Sequence, residues 1–432
     1  MTTWLISDAT TLEGSSVDIA IEDGTLSRLE KAGSIDPSIA PEDRRYDANG
    51  RLVTPTLTEP HIHLDATLTA GEPSWNESGT LAEGIGIWAD RKESLEAADV
   101  KERAERAIEW MASNGVTRVR THADTTEESL TGVRALLELR EEVADLVDLQ
   151  VVAFPQDGIF TDESHEDLLR ESLEMGADLV GAIPHNEHTR EDGVASVELA
   201  MDLAERYGRP VDMHIDETDD PGSRFTEVLA SESIKRGIGD RVTASHTTAM
   251  HSYSNAYAAK VISLLAESGA SVITNPPDNA VLQGRYDDYP RRRGHTRIDE
   301  LREADVTVGI GHDSVMDPWY HYGRGDQLDA AFVLLHYAHM NGRSDVGPLW
   351  EMLTTANADV FGDEEYGLSV GSAGSLVVYD APDAFNALRT RAPRTLVLKD
   401  GREIARTEPS STHVVREGDD GDELERSVDF HR

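Results

Sequence analysis

The feature that most constrains this chain is an alternation repeated eight times: a short apolar run, then a charged segment. The runs fall at 54–60, 116–124, 148–156, 178–185, 209–216, 241–248, 270–277 and 306–314. Between them, 98–113, 127–145, 166–175, 194–207, 225–236 and 253–268 place apolar residues at helical spacing. Eight strand-then-helix units predict an α/β fold of the (β/α)8 TIM-barrel type. A doubly wound sheet is the competitor, but no glycine-rich dinucleotide fingerprint follows an early strand. Towards both ends the pattern changes to short alternating stretches separated by Gly and Asp turns. The expected organisation is 1–55 as one part of a small β-sandwich, 56–366 as the barrel, and 367–432 as the rest of the sandwich plus an acidic tail at 417–425.

Composition narrows the chemistry. The 432 residues include no cysteine, which excludes disulfides, thiolate ligands, iron–sulfur clusters and a cysteine nucleophile. Any metal must be held by His, Asp or Glu. With 40 Lys plus Arg against 82 Asp plus Glu, the net charge is −42. That balance disfavours nucleic acid or an anionic membrane as partner, since both need basic patches. No run reaches about 18 apolar residues, and the first residues lack the basic and apolar regions of a signal peptide, so a cytoplasmic location is expected. Six residues are lysine, leaving 40 − 6 = 34 arginines. Acidic charge spread through nearly every helix, with few lysines, predicts a halophilic protein. Such self-repulsion is largely screened at about 1 M salt, where the Debye length is about 3 Å.

In a (β/α)8 barrel the active site assembles at the C-terminal ends of the strands. Polar residues concentrate at the predicted ends here: His61 and His63, His122 and Asp124, Gln156, His185, His214 with Glu217 beyond it, His246, then His312 and Asp313. His61 and His63 share one face of a strand, because side chains alternate with period two. Alone, such a pair is a weak metal signal. With His214 and Asp313 it gives three nitrogens and one carboxylate, leaving a position open for water as catalytic sites require. A divalent ion lowers the pKa of bound water from about 15.7 towards about 7. Asp313 is placed to ligate the ion and accept the proton, and Glu217 to shuttle it. His246 suits the water or a developing oxyanion. Gln156 offers a donor and an acceptor together, which fits an amide-like edge of a heterocycle. Two-metal hydrolases of this architecture usually bridge their ions through a carbamylated lysine. No lysine lies between Lys101 and Lys235, so a mononuclear site is expected.

Several segments carry a more specific resemblance: 59–65 (Glu-Pro-His-Ile-His-Leu-Asp), 70–81, 152–158, 244–253, 282–285, 289–294 and 311–320. Together they resemble the bacterial-type cytosine deaminases of the amidohydrolase superfamily, and they span essentially the whole chain. His-x-His alone would indicate only the superfamily. The resemblance implies that His61, His63, His214 and Asp313 bind one divalent ion per subunit, Fe(II) or Zn(II). It further implies that Glu217 shuttles protons, His246 assists the hydrolytic water and Gln156 reads the pyrimidine carbonyl edge. Trp319 would shape the pocket wall, and Leu81 would sit in a loop over the substrate. A barrel with a β-sandwich, a nucleobase substrate and a tendency to homo-oligomerise carry over as expectations.

One departure bears on substrate. Cytosine deaminases read Gly-His-Asp-Asp at strand 8, whereas residues 311–314 here read Gly-His-Asp-Ser. In the family the second acid approaches the C5 side of the ring, so the smaller, uncharged Ser314 is expected to admit 5-methylcytosine or 5-fluorocytosine. Differences at 184–190, 274–279 and Met316 leave isoguanine, creatinine or a triazine as alternative substrates, and a catalytically inactive metal- or pyrimidine-binding protein as the remote one.

Overall fold

Strand-forming segments at both ends of the chain meet before the barrel begins. A computed structural model describes residues 3–363, 365–409, 411–417, 423–428 and 430–431. The N-terminal strands are β1 (Thr3–Thr10), β2 (Ser16–Glu22), β3 (Thr25–Lys31) and β4 (Arg45–Asp47), joined in the order β3-β2-β1-β4. Strand β5 (Val53–Pro55) leaves them for the C-terminal strands.

The barrel strands are β6 (Leu57–Ile62), β7 (Val116–Asp124), β8 (Asp148–Phe154), β9 (Leu179–Val180), β10 (Val211–Ile215), β11 (Val242–His246), β12 (Ser271–Thr274) and β13 (Val308–Ile310). Neighbours pair in parallel in sequence order. The eight-strand alternation thus forms the expected barrel. Helices between strands turn apolar stripes inward. Helix Ala97–Ser113 buries Val100, Ala104, Ala107, Ile108 and Met111, and exposes Glu102, Glu105 and Glu109.

The fourth strand departs from its expected length of eight residues. Only Leu179–Val180 form a regular ladder, because Gly181 and Pro184 interrupt the run. The segment still follows its neighbours, with Gly181 N donating to Ala153 O at 2.8 Å and His214 N to Ala182 O at 3.0 Å. The barrel seam is also irregular. Between β6 and β13 there is one bridge, Ile62 to Asp313, with Asp313 N donating to His61 O at 2.9 Å. Side chains complete the closure. Asn357 Nδ2 donates to Thr58 O at 3.0 Å and Ile310 O at 2.8 Å, while its Oδ1 accepts from Ile310 N at 2.9 Å.

The remaining strands are β14 (Leu376–Tyr379), β15 (Arg394–Lys399) and β16 (Arg402–Arg406), in the order β16-β15-β14-β5. This sheet packs on the N-terminal one through Trp4, Ile6, Ile19, Leu376 and Leu398, which makes the sandwich. Its other face, with Val377, Tyr379 and Val397, joins the barrel core. A separate hairpin pairs β17 (Thr412–Glu417) with β18 (Glu423–Val428), and residues 418–422 of the acidic tail lie outside the described residues. Among the described residues, no helix is long and apolar enough to cross a membrane.

Sandwich and barrel are locked by a buried ion pair. Arg394 of β15 donates Nη1 to Asp326 Oδ2 at 3.0 Å and Nη2 to Oδ1, with both side chains almost fully buried. Asp326 also caps helix Gln327–Tyr337 by accepting from Leu328 N at 3.0 Å. Removing one partner strands a buried charge, a loss of about 3–5 kcal/mol. Arg394→Ala is therefore expected to lower unfolding stability by about 3 kcal/mol in urea titration. Arg324→Ala, which removes the more exposed partner of Asp326, should cost no more than about 1 kcal/mol.

Candidate metal centre and active site

The first strand delivers two imidazoles to one side of the barrel mouth. His61 is fully buried and His63 is 7% exposed. His214, at the end of β10, brings its Nε2 to 3.2 Å from His61 Nε2 and 3.1 Å from His63 Nε2. Asp313 Oδ1 stands 3.6 and 3.5 Å from the same two nitrogens. Four ligands about 2.0–2.2 Å from a common centre at tetrahedral angles would be about 3.3–3.6 Å apart, so this donor set fits a divalent ion. The electrostatics agree. Burial, reinforced by the other imidazoles, holds His61, His63 and His214 well below the usual histidine range, leaving lone pairs free. Burial and the charges of Asp278 and Glu217 push Asp313 well above the usual carboxylate range. A cation relieves both.

The backbone is bent to aim these groups. Asp216, His246 and Asp313 have φ of 53°, 73° and 72°, a left-handed geometry that non-glycine residues rarely adopt. Asp216 is held by Ser223 Oγ at 2.6 Å, Phe225 N at 2.9 Å, Thr226 N at 2.8 Å and Tyr253 OH at 3.1 Å. That anchorage turns the next residue, Glu217, into the cavity at 3% exposure. Its Oε1 lies 3.6 Å from His246 Nδ1, and His246 Nδ1 lies 3.8 Å from Asp313 Oδ2. Asn279 Nδ2 sits 3.4 Å from Glu217 Oε1 and 3.0 Å from His246 Nδ1. Burial and the charge of Asp278 raise Glu217 well above its usual range. Such a carboxyl can carry a proton at neutral pH.

Beneath the imidazoles lies a buried polar layer that sequence reasoning missed. Ser245 Oγ donates to Asp212 Oδ1 at 2.7 Å, and His61 Nδ1 lies 3.0 Å from the same hydroxyl. The hydroxyl has one hydrogen, already given to Asp212, so His61 Nδ1 must be the donor and Nε2 keeps the free lone pair. Arg120 Nη1 donates to Asp212 Oδ2 at 3.0 Å. Glu59 accepts from His61 N at 3.0 Å, His312 N at 3.1 Å and Gln327 Nε2 at 2.5 Å, and burial pushes its carboxyl up to about 8. A signal for this layer exists in the sequence. Glu59, Arg120 and Asp212 each precede a strand-end histidine by two residues, so they face the same way.

The other strand-end candidates separate. His122 is buried under the cluster, its ring 4.0 Å from that of His61 and its Nε2 3.5 Å from Asp212 Oδ1. Asp124 turns to Lys92 Nζ at 3.0 Å and Trp88 Nε1 at 2.9 Å. Lys92 also reaches Asp157 Oδ2 at 2.5 Å, beside Gln156. His185 lies in the turn Pro184–Asn186 and lines an outer cleft, and His312 turns its Nδ1 to Ser314 O at 2.9 Å. Gln156, Leu81, Ser314 and Trp319 line one small cavity with His63, His214, Glu217, His246, Asp278 and Asp313. Leu81 is not in a loop, as expected, but opens helix Leu81–Lys92, whose cap is the Thr80 side chain accepting from Glu83 N. Gly84 and Gly86 within that segment obscure its helical pattern. Gly84 is required where it stands, since a Cβ there would lie 2.5 Å from Trp319 Cδ1.

Comparison with known proteins gives a consistent result. A model of the amidohydrolase family matches residues 93–405. The N-isopropylammelide isopropyl amidohydrolase of Pseudomonas sp. (strain ADP) is 31% identical over 416 residues, covering 94% of this chain and 97% of that protein. The pterin deaminase of Rhizobium rhizogenes is 29% identical over 397 residues, covering 91% and 88%. The crystal structure of 5-methylcytosine deaminase from Klebsiella pneumoniae liganded with 5-fluorocytosine superposes with a TM-score of 0.91 at 44% identity, covering 94% of this chain and 98% of that one.

The buried layer generates a prediction. Asp212→Asn breaks the orientation of His61 without removing a ligand, and is expected to weaken metal affinity about 10–100-fold in a chelator-competition titration. His214→Ala is expected to abolish stoichiometric binding in the same titration.

Proposed function

The chain belongs to the amidohydrolase family, and from that premise we propose that it hydrolytically deaminates a cytosine-type ring, 5-methylcytosine included, to the uracil-type product and ammonia. The observation that carries this reading is the lining of one small cavity, which gathers ligand candidates, proton carriers and Gln156. The relative at 44% identity, named a 5-methylcytosine deaminase, supports the same substrate class.

A divalent ion held by His61, His63, His214 and Asp313, one per chain and Fe(II) or Zn(II) in kind, would supply Lewis-acid activation of water. Asp313 takes the proton that the attacking water gives up. Glu217, its pKa raised, delivers its proton to the ring nitrogen. Reloaded with the second hydrogen of the same water as the carbonyl forms, it passes that one to the departing amine, and the proton held by Asp313 then restores Glu217. His246, neutral through burial, stabilises charge developing at the attacked carbon. Gln156 pairs with the amide-like edge of the ring, while Leu81 and Trp319 pack on its faces. Ser314, 1% exposed, leaves room for a C5 substituent.

The test is a panel of cytosine, 5-methylcytosine, 5-fluorocytosine, isoguanine, creatinine and an aminotriazine, read by ammonia release. Cytosine-type rings are expected to react best, and exclusive turnover of another ring overturns the assignment. Ser314→Asp is expected to lower kcat/KM for 5-methylcytosine relative to cytosine by about 10–200-fold, and an unchanged ratio contradicts the role given to Ser314.

The acid-rich surface is read as an adaptation to salt in a protein of the cytoplasm. Exposed Glu102, Glu105 and Glu109 on one helix are representative of the repulsion that must be screened. Activity and thermal midpoint are expected to fall together as salt drops from about 2 M to below about 0.1 M, where the Debye length exceeds about 10 Å. Full activity after long dialysis into dilute buffer would refute this.

A further inference from the structure

Two polar side chains of that cavity, Asp278 and Ser314, lie beside one another, and each keeps an oxygen without a hydrogen bond. Asp278 follows β12 in the short helix Pro276–Leu282 and is 2% exposed, and Ser314 is 1% exposed. Asp278 Oδ1 and Ser314 Oγ make no hydrogen bond, although both line the cavity with Glu217, Asp313 and Gln156. Buried polar groups are satisfied as a rule, so two orphans facing one cavity call for a ligand that satisfies them.

The position of Asp278 is fixed by its neighbours rather than by its own contacts. Asn279, next in sequence, holds Glu217 and His246, and Asn275 Nδ2 lies 3.3 Å from His246 Nδ1. The carboxyl of Asp278 lines the same cavity as the two acids of the reaction, Glu217 and Asp313. In the reaction proposed above Glu217 and Asp313 act on the departing substituent, whereas Gln156 pairs with the opposite, amide-like edge. A carboxyl on the cavity wall shared with those acids therefore meets the exocyclic amine.

We propose that Asp278 is a substrate-binding residue whose carboxyl accepts a hydrogen from the exocyclic amino group, with Ser314 completing the same wall, so that the pair selects amino-heterocycles with a donor at that edge. The proposal rests on the deaminase reading above and adds a residue and a recognition rule to it. It also predicts coupling. One carboxylate fits this wall, so a second introduced at position 314 is repelled by the first, and removing the charge at 278 relieves it.

The experiment is a double-mutant cycle of Asp278→Asn, Ser314→Asp and the combined variant. Metal content, thermal midpoint and kcat/KM on cytosine and 5-methylcytosine are measured for each protein. Asp278→Asn is expected to keep its metal and its thermal midpoint while kcat/KM falls at least tenfold, mostly through KM. The double variant is expected to exceed Ser314→Asp alone at least tenfold. Unchanged kcat/KM in Asp278→Asn, loss of its metal or its fold, or purely additive effects each overturn the proposal. A wild type that releases no ammonia from any aminopyrimidine overturns the functional reading and this proposal together. A wild type active on them with an indifferent Asp278→Asn overturns this proposal alone.

Discussion

Closure of the barrel is the constraint on which the site depends. A parallel ladder would close the cylinder between β6 and β13, but only one bridge forms there. Two buried side chains span the gap instead: Asn357 bonds to both strands, and Glu59 accepts hydrogen bonds from the backbone N–H groups of His61 and His312. His61, His63 and Asp313 all ride on this seam. A residue that misplaced the seam would displace three of the four ligand candidates at once. Glu59 is thus tolerated as a buried acid because geometry there is worth more than its desolvation.

Much of the fold was legible because it is local. Alternating apolar runs and helical stripes are read within windows of about 11–18 residues, and those windows contain the eight strands and their outer helices. The fourth strand was overextended because an apolar run does not reveal that Gly181 and Pro184 break its ladder. The resemblance placed Leu81 in a loop, and the helix Leu81–Lys92 that it opens is hard to see in the sequence because two glycines dilute its pattern. The candidate ligands were legible for a different reason: histidine is uncommon, and its position at strand ends carries information. The layer under them was not. Glu59 meets Gln327 at a separation of 268 residues, and His61 meets Ser245 at 184. No window sees such pairs, and an inward charge in a strand reads as noise until the cylinder is closed.

Charge is handled differently inside and out. The net −42 lies over the helices as exposed Asp and Glu, where solvent and salt deal with it. Inside, basic groups are matched individually: Arg120 with Asp212, Lys92 with Asp124 and Asp157, Arg394 with Asp326. Asp313, Glu217 and Asp278 have no such cation and crowd around the cavity. Glu59 and Asp216, buried without a cation elsewhere, are each held instead by several hydrogen-bond donors.

The irregular seam has a thermodynamic consequence. Its two sides are separated by 252 positions in the chain, from His61 to Asp313, and are joined by few backbone bonds. An ion ligated from both sides would act as a clasp on the longest loop the barrel must close. Because unfolded chain offers no such arrangement, ion binding and global folding would be linked equilibria, each strengthening the other by the same free energy. Depletion of the metal would then be felt first as loosening between the first and last strands, far from the outer helices, and any substitution that tightens the seam would also deepen the hold on the ion.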